Sequence, residues 1–343
     1  MKRLLSMVSI ALVCVGVILM FPSGSCANEK VITLKATNWF PVGCKQDLGL
    51  HAWCKDLEKR SGGKMKVSYY GGGTLVPAAQ SYDAAVKGIV DVSNCVLGYT
   101  MGRFPFSQVL DLPLGFPEGS GPTKIANEFY QKFKPKEFDD VKVLWFHEGP
   151  GGFLHTRTKP VTKLEDLQGM KLRCYGSNAK FVGQLGAAAV AMPMPEVYDA
   201  LSKGVVDGLL SQFEPLQGFR TGEHIKYTTE NRDSAWSAAF VVVMNKKKFD
   251  SLPEDIRAII DEMSPEYIEK YDKQWTEIDA EGKDWMAKRG AQFISLSPEE
   301  EARWYEKGSK PLIEAYIKDM EARGLPGAEA VKFLQETLKT YKK

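Results

Sequence analysis

The chain has 343 residues, of which 44% are apolar, 26% charged and 11% aromatic, a composition that builds globular cores and leaves room for two domains. Lys and Arg number 45 against 43 Asp and Glu, so no strong field gathers nucleic acid or an anionic membrane surface. The four histidines, His51, His147, His155 and His224, form no i, i+4 pair and none stands beside a Cys pair, which gives a metal site little to build on.

Lys2 and Arg3 precede Leu4 to Met20, a run without a charge, and then come Phe21-Pro22 and Ser25-Cys26-Ala27. A basic start, an apolar stretch and small residues at a cleavage point read as a secretory signal peptide over 1–27, cut after Ala27. The mature chain is therefore expected in the periplasm. Lipidation of Cys26 would need a Leu-like residue where Ser23 stands, and the short run followed by Pro22 disfavours a retained membrane anchor. Cys44, Cys54, Cys95 and Cys174 remain after cleavage, too few for a disulfide-built scaffold. Cys54 shares a helical stripe with Leu50, Trp53 and Leu57; a single Cys44–Cys95 bridge stays open.

Along the mature chain, Val31 to Ala36 reads as a strand, Lys45 to Ser61 as a helix stopped by Gly62-Gly63, and Met65 to Tyr70 as an alternating strand that breaks at Gly71-Gly72-Gly73. Strand, helix, strand is the grammar of an α/β lobe. It recurs at Val141 to Phe146, Lys171 to Cys174, a helix near Pro195 to Lys203, and Val205 to Leu210. Tyr82-Asp-Ala-Ala-Val-Lys-Gly-Ile-Val-Asp91 returns as Tyr198-Asp-Ala-Leu-Ser-Lys-Gly-Val-Val-Asp207, identical at seven of ten positions and offset by 116 residues. Each copy is a helix ended by a glycine that turns the chain into a strand, which implies two lobes built alike.

The last third becomes helical. Ser251-Leu-Pro-Glu254 and Ser297-Pro-Glu-Glu300 have capping-box spacing, and Ser264-Pro265 is expected to open a helix reaching Arg289. Tyr267, Tyr271, Trp275, Ile278 and Trp285 stand near helical spacing on it, a stripe that reads as packing. At 1.5 Å per residue this helix extends roughly 37 Å, longer than one small lobe, so it is expected to brace two.

No G-x-S-x-G elbow, P-loop, G-x-G-x-x-G fingerprint or Cys-x-x-Cys pair occurs in the mature chain, so neither catalytic residues nor a cofactor is expected. Gly71-Gly72-Gly73 lacks the Lys-Ser/Thr of a phosphate loop, and Cys174 beside Arg173 has no base nearby in sequence. What stands out is Arg173 at the end of a short strand. A guanidinium offers a planar fork of donors that matches a carboxylate and stays charged in a dry site. Judged alone, such an Arg is more often a surface ion-pair partner.

The stretch from Lys159 through Glu196-Val-Tyr198-Asp-Ala-Leu201 to Gly204-Val-Val-Asp207-Gly208 resembles the signature of the TRAP-transporter periplasmic solute-binding proteins, the dicarboxylate-binding-protein family. Ser61-Gly-Gly-Lys-Met-Lys-Val67, Leu110-Asp-Leu-Pro113 and Met244-Asn-Lys-Lys-Lys-Phe249-Asp-Ser-Leu-Pro253 extend the likeness over essentially the whole mature chain. The resemblance implies an α/β, two-lobed periplasmic-binding-protein fold that closes as a hinged trap, with a long helix bracing both lobes. Its boundaries fall at 28–150 with 238–278 for one lobe and 151–237 with 279–343 for the other. It further implies a monomer that carries a small organic acid to TRAP integral-membrane subunits, with Arg173 forming the salt bridge to the ligand carboxylate.

Departures from the family pattern bear on the ligand. Sialic-acid binders of the family have a second Arg where Phe153 stands, and many members have Asn where Ser211 stands. The chain continues Gln212-Phe213-Glu214-Pro215, so an apolar or aromatic ligand body is implied. Phe153 and Phe213 are candidate apolar walls, and Trp39, Tyr99 and Trp236 flank strands that face the cleft in this fold; core packing is the alternative for each. Glu214 is a candidate acceptor for a ligand ammonium and Asn38 a candidate polar contact. A sensor module feeding a membrane kinase and a periplasmic enzyme acting on organic acids are the competing functions.

Overall fold

A computed structural model describes residues 31–341, so the expected signal peptide over 1–27 lies outside the described residues. In chain order the first lobe begins β1 (Ile32–Thr37), α1 (Lys45–Arg60), β2 (Met65–Tyr70), α2 (Ser81–Val86), β3 (Val92–Val96), α3 (Pro122–Phe133) and β4 (Val141–Glu148). The second contains β5 (Phe153–Thr156), β6 (Lys171–Cys174), α4 (Asn178–Leu185), β7 (Ala188–Ala191), α5 (Val197–Ser202), β8 (Gly208–Ser211), α6 (Glu214–Gly218) and β9 (Tyr227–Glu230). The chain then returns with β10 (Ala239–Asn245), α7 (Lys246–Asp250) and α8 (Glu254–Lys288), adds β11 (Gln292–Ser295), and ends in α9 (Pro298–Trp304), α10 (Lys310–Ala322) and α11 (Gly327–Tyr341).

Two sheets result, ordered β2-β1-β3-β10-β4 and β11-β9-β5-β8-β6-β7. In the first, β10 is the late strand, antiparallel between β3 and β4, and all seven of its residues are buried. The chain crosses between the sheets three times, and the first two crossings touch where Gly152 N–H donates to Trp236 O at 2.7 Å.

The sequence repeat is a structural repeat. Gly88 and Gly204 end their helices at φ 70° and 69°, a left-handed turn that costs a glycine little. Each copy then ends in an aspartate that joins the neighbouring parallel strand. Asp91 takes Lys35 N–H on Oδ2 at 2.7 Å and Asp207 takes Lys171 N–H at 2.8 Å. The strand of the second copy starts at Gly208, later than the pattern suggested, because Val205 is still exposed on the turn.

Helix α8 is 35 residues long, roughly 52 Å. Its first two-thirds packs on the first lobe, where Tyr267 Oη donates to Asp56 at 2.7 Å and Trp275 Nε1 donates to His147 Nδ1 at 3.0 Å. Its last third packs on the other, where Asp279 Oδ1 accepts Glu214 N–H at 2.9 Å and Lys283 pairs with Glu230 at 2.8 Å. Pro265 stands inside this helix and does not begin one. Ser251 likewise caps no helix start; it ends α7, its hydroxyl donating to Lys248 O at 2.7 Å. Ser297 does cap α9, accepting Glu300 N–H.

The sequence reading gave all of 279–343 to the second lobe. Helix α11 instead lies against α3 of the first, with Lys132 pairing to Glu329 at 3.0 Å and Phe133 meeting Phe333 edge-on, because its amphipathic face finds its apolar partner there. The four cysteines of the described chain are free, so Cys44 and Cys95 are not bridged. Among the described residues no helix is long and apolar enough to cross a membrane.

Candidate functional site

A nearly filled cavity of about 20 Å³ lies between the sheets. The first lobe and α8 contribute Trp39, Phe40, Tyr99, Phe240 and Trp275; the second contributes Arg173, Tyr175, Met194, Gln212, Phe219 and Trp236.

The aromatic half is built on polar supports behind it. Asn38 fixes the loop after β1: its Oδ1 accepts Phe40 N–H at 3.3 Å and Asn94 Nδ2 at 3.3 Å, and its Nδ2 donates to Gln46 O at 3.2 Å. That Asx-type turn presents Trp39 and Phe40 stacked, with centroids 4.2 Å apart. His147 accepts Trp275 Nε1–H at Nδ1 and meets Asn94 Oδ1 at Nε2, 3.0 Å each, so it is the neutral Nε2–H tautomer. Burial agrees, pushing its pKa down to about 3. The imidazole stacks on Phe240 at 4.7 Å and 1°, and Phe240 stacks on Trp275 at 5.4 Å. Offset-stacked rings bury much area with few rotors, so these walls are stiff.

The polar half centres on Arg173 at the end of β6. The residue is 0% exposed. Nε donates to Met192 O at 3.1 Å and Nη2 to Tyr99 Oη at 3.4 Å, and the guanidinium lies 5.1 Å over the Tyr175 ring. Nη1 has no partner, and no carboxylate hydrogen-bonds this arginine among the described residues. A buried cation without a counter-charge costs several kcal/mol, so the site is built for an anion. Trp39 Nε1, Gln212 Nε2 and Trp236 Nε1 are also buried without partners. All four unpartnered nitrogens are donors, and a carboxylate is an acceptor-only group.

Of the residues singled out from sequence, Arg173, Trp39, Tyr99 and Trp236 come together on this cavity; Phe153, Ser211, Phe213, Glu214 and Asn38 do not line it. Phe153 on β5 packs 5.7 Å from Phe213 inside the second lobe, and Phe213 also meets His155 and Phe293. Ser211 pairs with Phe153 across the ladder. Glu214 starts α6 with its carboxyl buried beside Asp279, and burial pushes it up to about 8.

Phe40, Tyr175, Gln212, Phe219, Phe240 and Trp275 line the cavity without having been singled out. Tyr175 stands two residues beyond Arg173, and Gln212 follows Ser211, so proximity was a usable signal for both. Phe240 sits in an all-buried strand and Trp275 on a helix stripe, where a wall residue and a core residue have the same pattern. Nothing here resembles a nucleophile with its base: burial raises the Cys174 thiol to about 11 and lowers His155 to about 4, and the described residues contain no cluster of metal-ligating side chains.

Two lobes closed over a small, mostly aromatic cavity with one buried arginine define a solute-binding protein. Residues 38–319 match the bacterial extracellular solute-binding proteins, family 7 (DctP), and the chain belongs to that family. A TRAP periplasmic solute-binding protein of Desulfovibrio salexigens, in an open complex, is 31% identical, with a TM-score of 0.79 over 91% of this chain and 97% of that one. A TRAP solute-binding protein of Rhodoferax ferrireducens, in complex with copurified benzoate, is 28% identical, with a TM-score of 0.82 over 90% and 98%. A marine-metagenome TRAP solute-binding protein specific for aromatic acid ligands, co-crystallised with 3-hydroxybenzoate, is 28% identical, with a TM-score of 0.84 over 91% and 99%. This family and its structural neighbours are solute receptors.

Proposed function

We propose that this chain is the periplasmic receptor of a TRAP transporter for a small aromatic monocarboxylate, exported by the segment 1–27 and delivering its cargo to the integral-membrane subunits. The observation that carries this reading is the buried Arg173 guanidinium, which has a free Nη1 and no protein carboxylate beside it. The ligand carboxylate supplies that counter-charge, and Gln212 and Trp236 offer further donors. The ring of the ligand lies among Trp39, Phe40, Phe240 and Trp275, where stacking and apolar burial hold it. One cation lines the cavity, so a single carboxylate is matched and a dicarboxylate is left with an uncompensated charge. The lining carries no carboxylate to pair with a ligand ammonium, and Glu214 lies outside the wall. Capture without turnover is supported by the family and its structural neighbours, which are solute-binding proteins.

A thermal-shift panel on residues 28–343 tests the reading. Benzoate and 3-hydroxybenzoate are expected to raise the melting midpoint, while succinate and free amino acids leave it in place. A midpoint that responds to succinate and to no aromatic acid would refute it.

A further inference from the structure

The first lobe touches the second tightly at the segment that follows β3. A Cβ on Gly98 would stand 2.6 Å from carbons of the Tyr175 ring, and a Cβ on Gly176 would stand 3.1 Å from Gly98 Cα. The two glycines let the backbones of the two lobes seat against one another at that point. This seat carries Tyr99 across the cleft. Its hydroxyl oxygen accepts Met194 N–H at 2.9 Å and Arg173 Nη2–H at 3.4 Å, and both donors belong to the second lobe. A phenol hydroxyl has two lone pairs and one proton. With both lone pairs engaged, only the proton is left to give, and Tyr99 lines the cavity. Burial raises the Tyr99 pKa, so that proton stays in place.

We infer that Leu97-Gly98-Tyr99 is a closure clasp: the Tyr99 hydroxyl accepts from Arg173 and Met194 and donates to a carboxylate oxygen of the ligand, tying the anion to both lobes at once. The inference rests on the aromatic-acid reading above and adds to it a residue that senses closure. Tyr99 is a positioning residue for Arg173, since it engages Nη2 and leaves Nη1 for the ligand. Its proton rewards an acceptor and penalises a donor, which sharpens the choice of carboxylate over ammonium. The bonds form only once the lobes have met, so the clasp acts on release and not on capture.

Stopped-flow tryptophan fluorescence with benzoate tests this on the mature chain. Tyr99→Phe keeps the ring and removes the hydroxyl. It is expected to raise the dissociation rate about tenfold, to hold the association rate within about twofold, and to leave the unliganded melting midpoint unchanged. Gly98→Ala keeps the hydroxyl but obstructs the seat. With saturating benzoate its radius of gyration is expected to stay at the unliganded value. A Tyr99→Phe protein that releases benzoate at the wild-type rate overturns the clasp, as does a lowered unliganded midpoint, which marks a packing role, or a Gly98→Ala protein that contracts normally. Wild-type protein that fails to bind benzoate at all removes the aromatic-acid reading instead, and the clasp falls with it.

Discussion

Arg173→Met is the most informative single change. Methionine keeps the unbranched stem that packs under Tyr175 and Tyr99 and deletes the guanidinium, so the perturbation is electrostatic with little loss of volume. Arg173 is fully buried and has no carboxylate of the protein to leave behind, and its uncompensated charge is itself a cost, so the unliganded midpoint is expected to hold or rise. The liganded state loses a desolvated charge pair. Truncating one partner of such a pair costs about 2–5 kcal/mol, which raises Kd by about 30-fold at the low end and about 5,000-fold at the high end. A wild-type protein at 100 times its Kd gains about 2.7 kcal/mol from ligand, an upward shift of about 4 °C for a chain of this size. At the same ligand concentration the variant keeps under about 0.9 kcal/mol, a shift near 1 °C or less. Differential scanning fluorimetry with benzoate reads both numbers. A variant whose ligand-induced shift matches wild type would refute the role given to Arg173, and a variant that melts early without ligand would refute the argument that its charge has no structural partner.

Phe153→Arg places a charge inside the second lobe beside Phe213, so the expected outcome is a fall in the midpoint from an unpaired buried charge, read by thermal denaturation; a stable protein with altered ligand preference would put Phe153 on the ligand after all. Gly282→Ala drives a Cβ to 2.5 Å from Phe213 O, backbone that cannot step aside, and about 1–3 kcal/mol of stability should be lost in urea titration; an unchanged urea midpoint would show that α8 can shift there. Burial raises Asp111 and Asp279 to about 7 and Glu214 to about 8, and holds Glu148 well above the carboxylate range. Acids raised on folding keep protons that the unfolded chain releases near pH 4. Stability from these groups is therefore greatest at low pH and declines as pH rises to about 8, so the benzoate-bound midpoint should fall between pH 6 and pH 8, and less steeply in Glu214→Gln. An identical slope in that variant would show that Glu214 does not titrate in this window.

The lobes were legible in the sequence because the information is local. Helix α1 and strands β1, β2 and β6 follow from periodicity and glycine stops, and the repeated Tyr-Asp-Ala motif carries its own turn and its own strand-pairing aspartate. The interior of α8 was harder to read. Pro265 signals a start wherever it appears, yet the packing of Tyr267, Tyr271 and Trp275 on the first lobe carries the helix through it. The placement of α11 depends on a contact with α3 nearly two hundred residues away, which no local pattern encodes. In the site, Arg173 stood out as a cation at a strand end, and Trp39, Tyr99 and Trp236 as aromatics at strand ends. Phe153 and Phe213 have the same sequence signature and face inward, because the register of β5 against β8 decides which face a side chain takes. Phe240 and Trp275 were hidden for the converse reason: a cavity wall in this fold is core until the lobes part.

A crystal structure of the mature chain with benzoate tests the central claim most directly. The account predicts a carboxylate oxygen within hydrogen-bond distance of Arg173 Nη1, a second near Tyr99 Oη, and the ring between Trp39 and the Phe240–Trp275 stack. Benzoate bound without contact to Arg173, or a closed cleft occupied by another class of solute with Arg173 paired to a protein carboxylate, would contradict it.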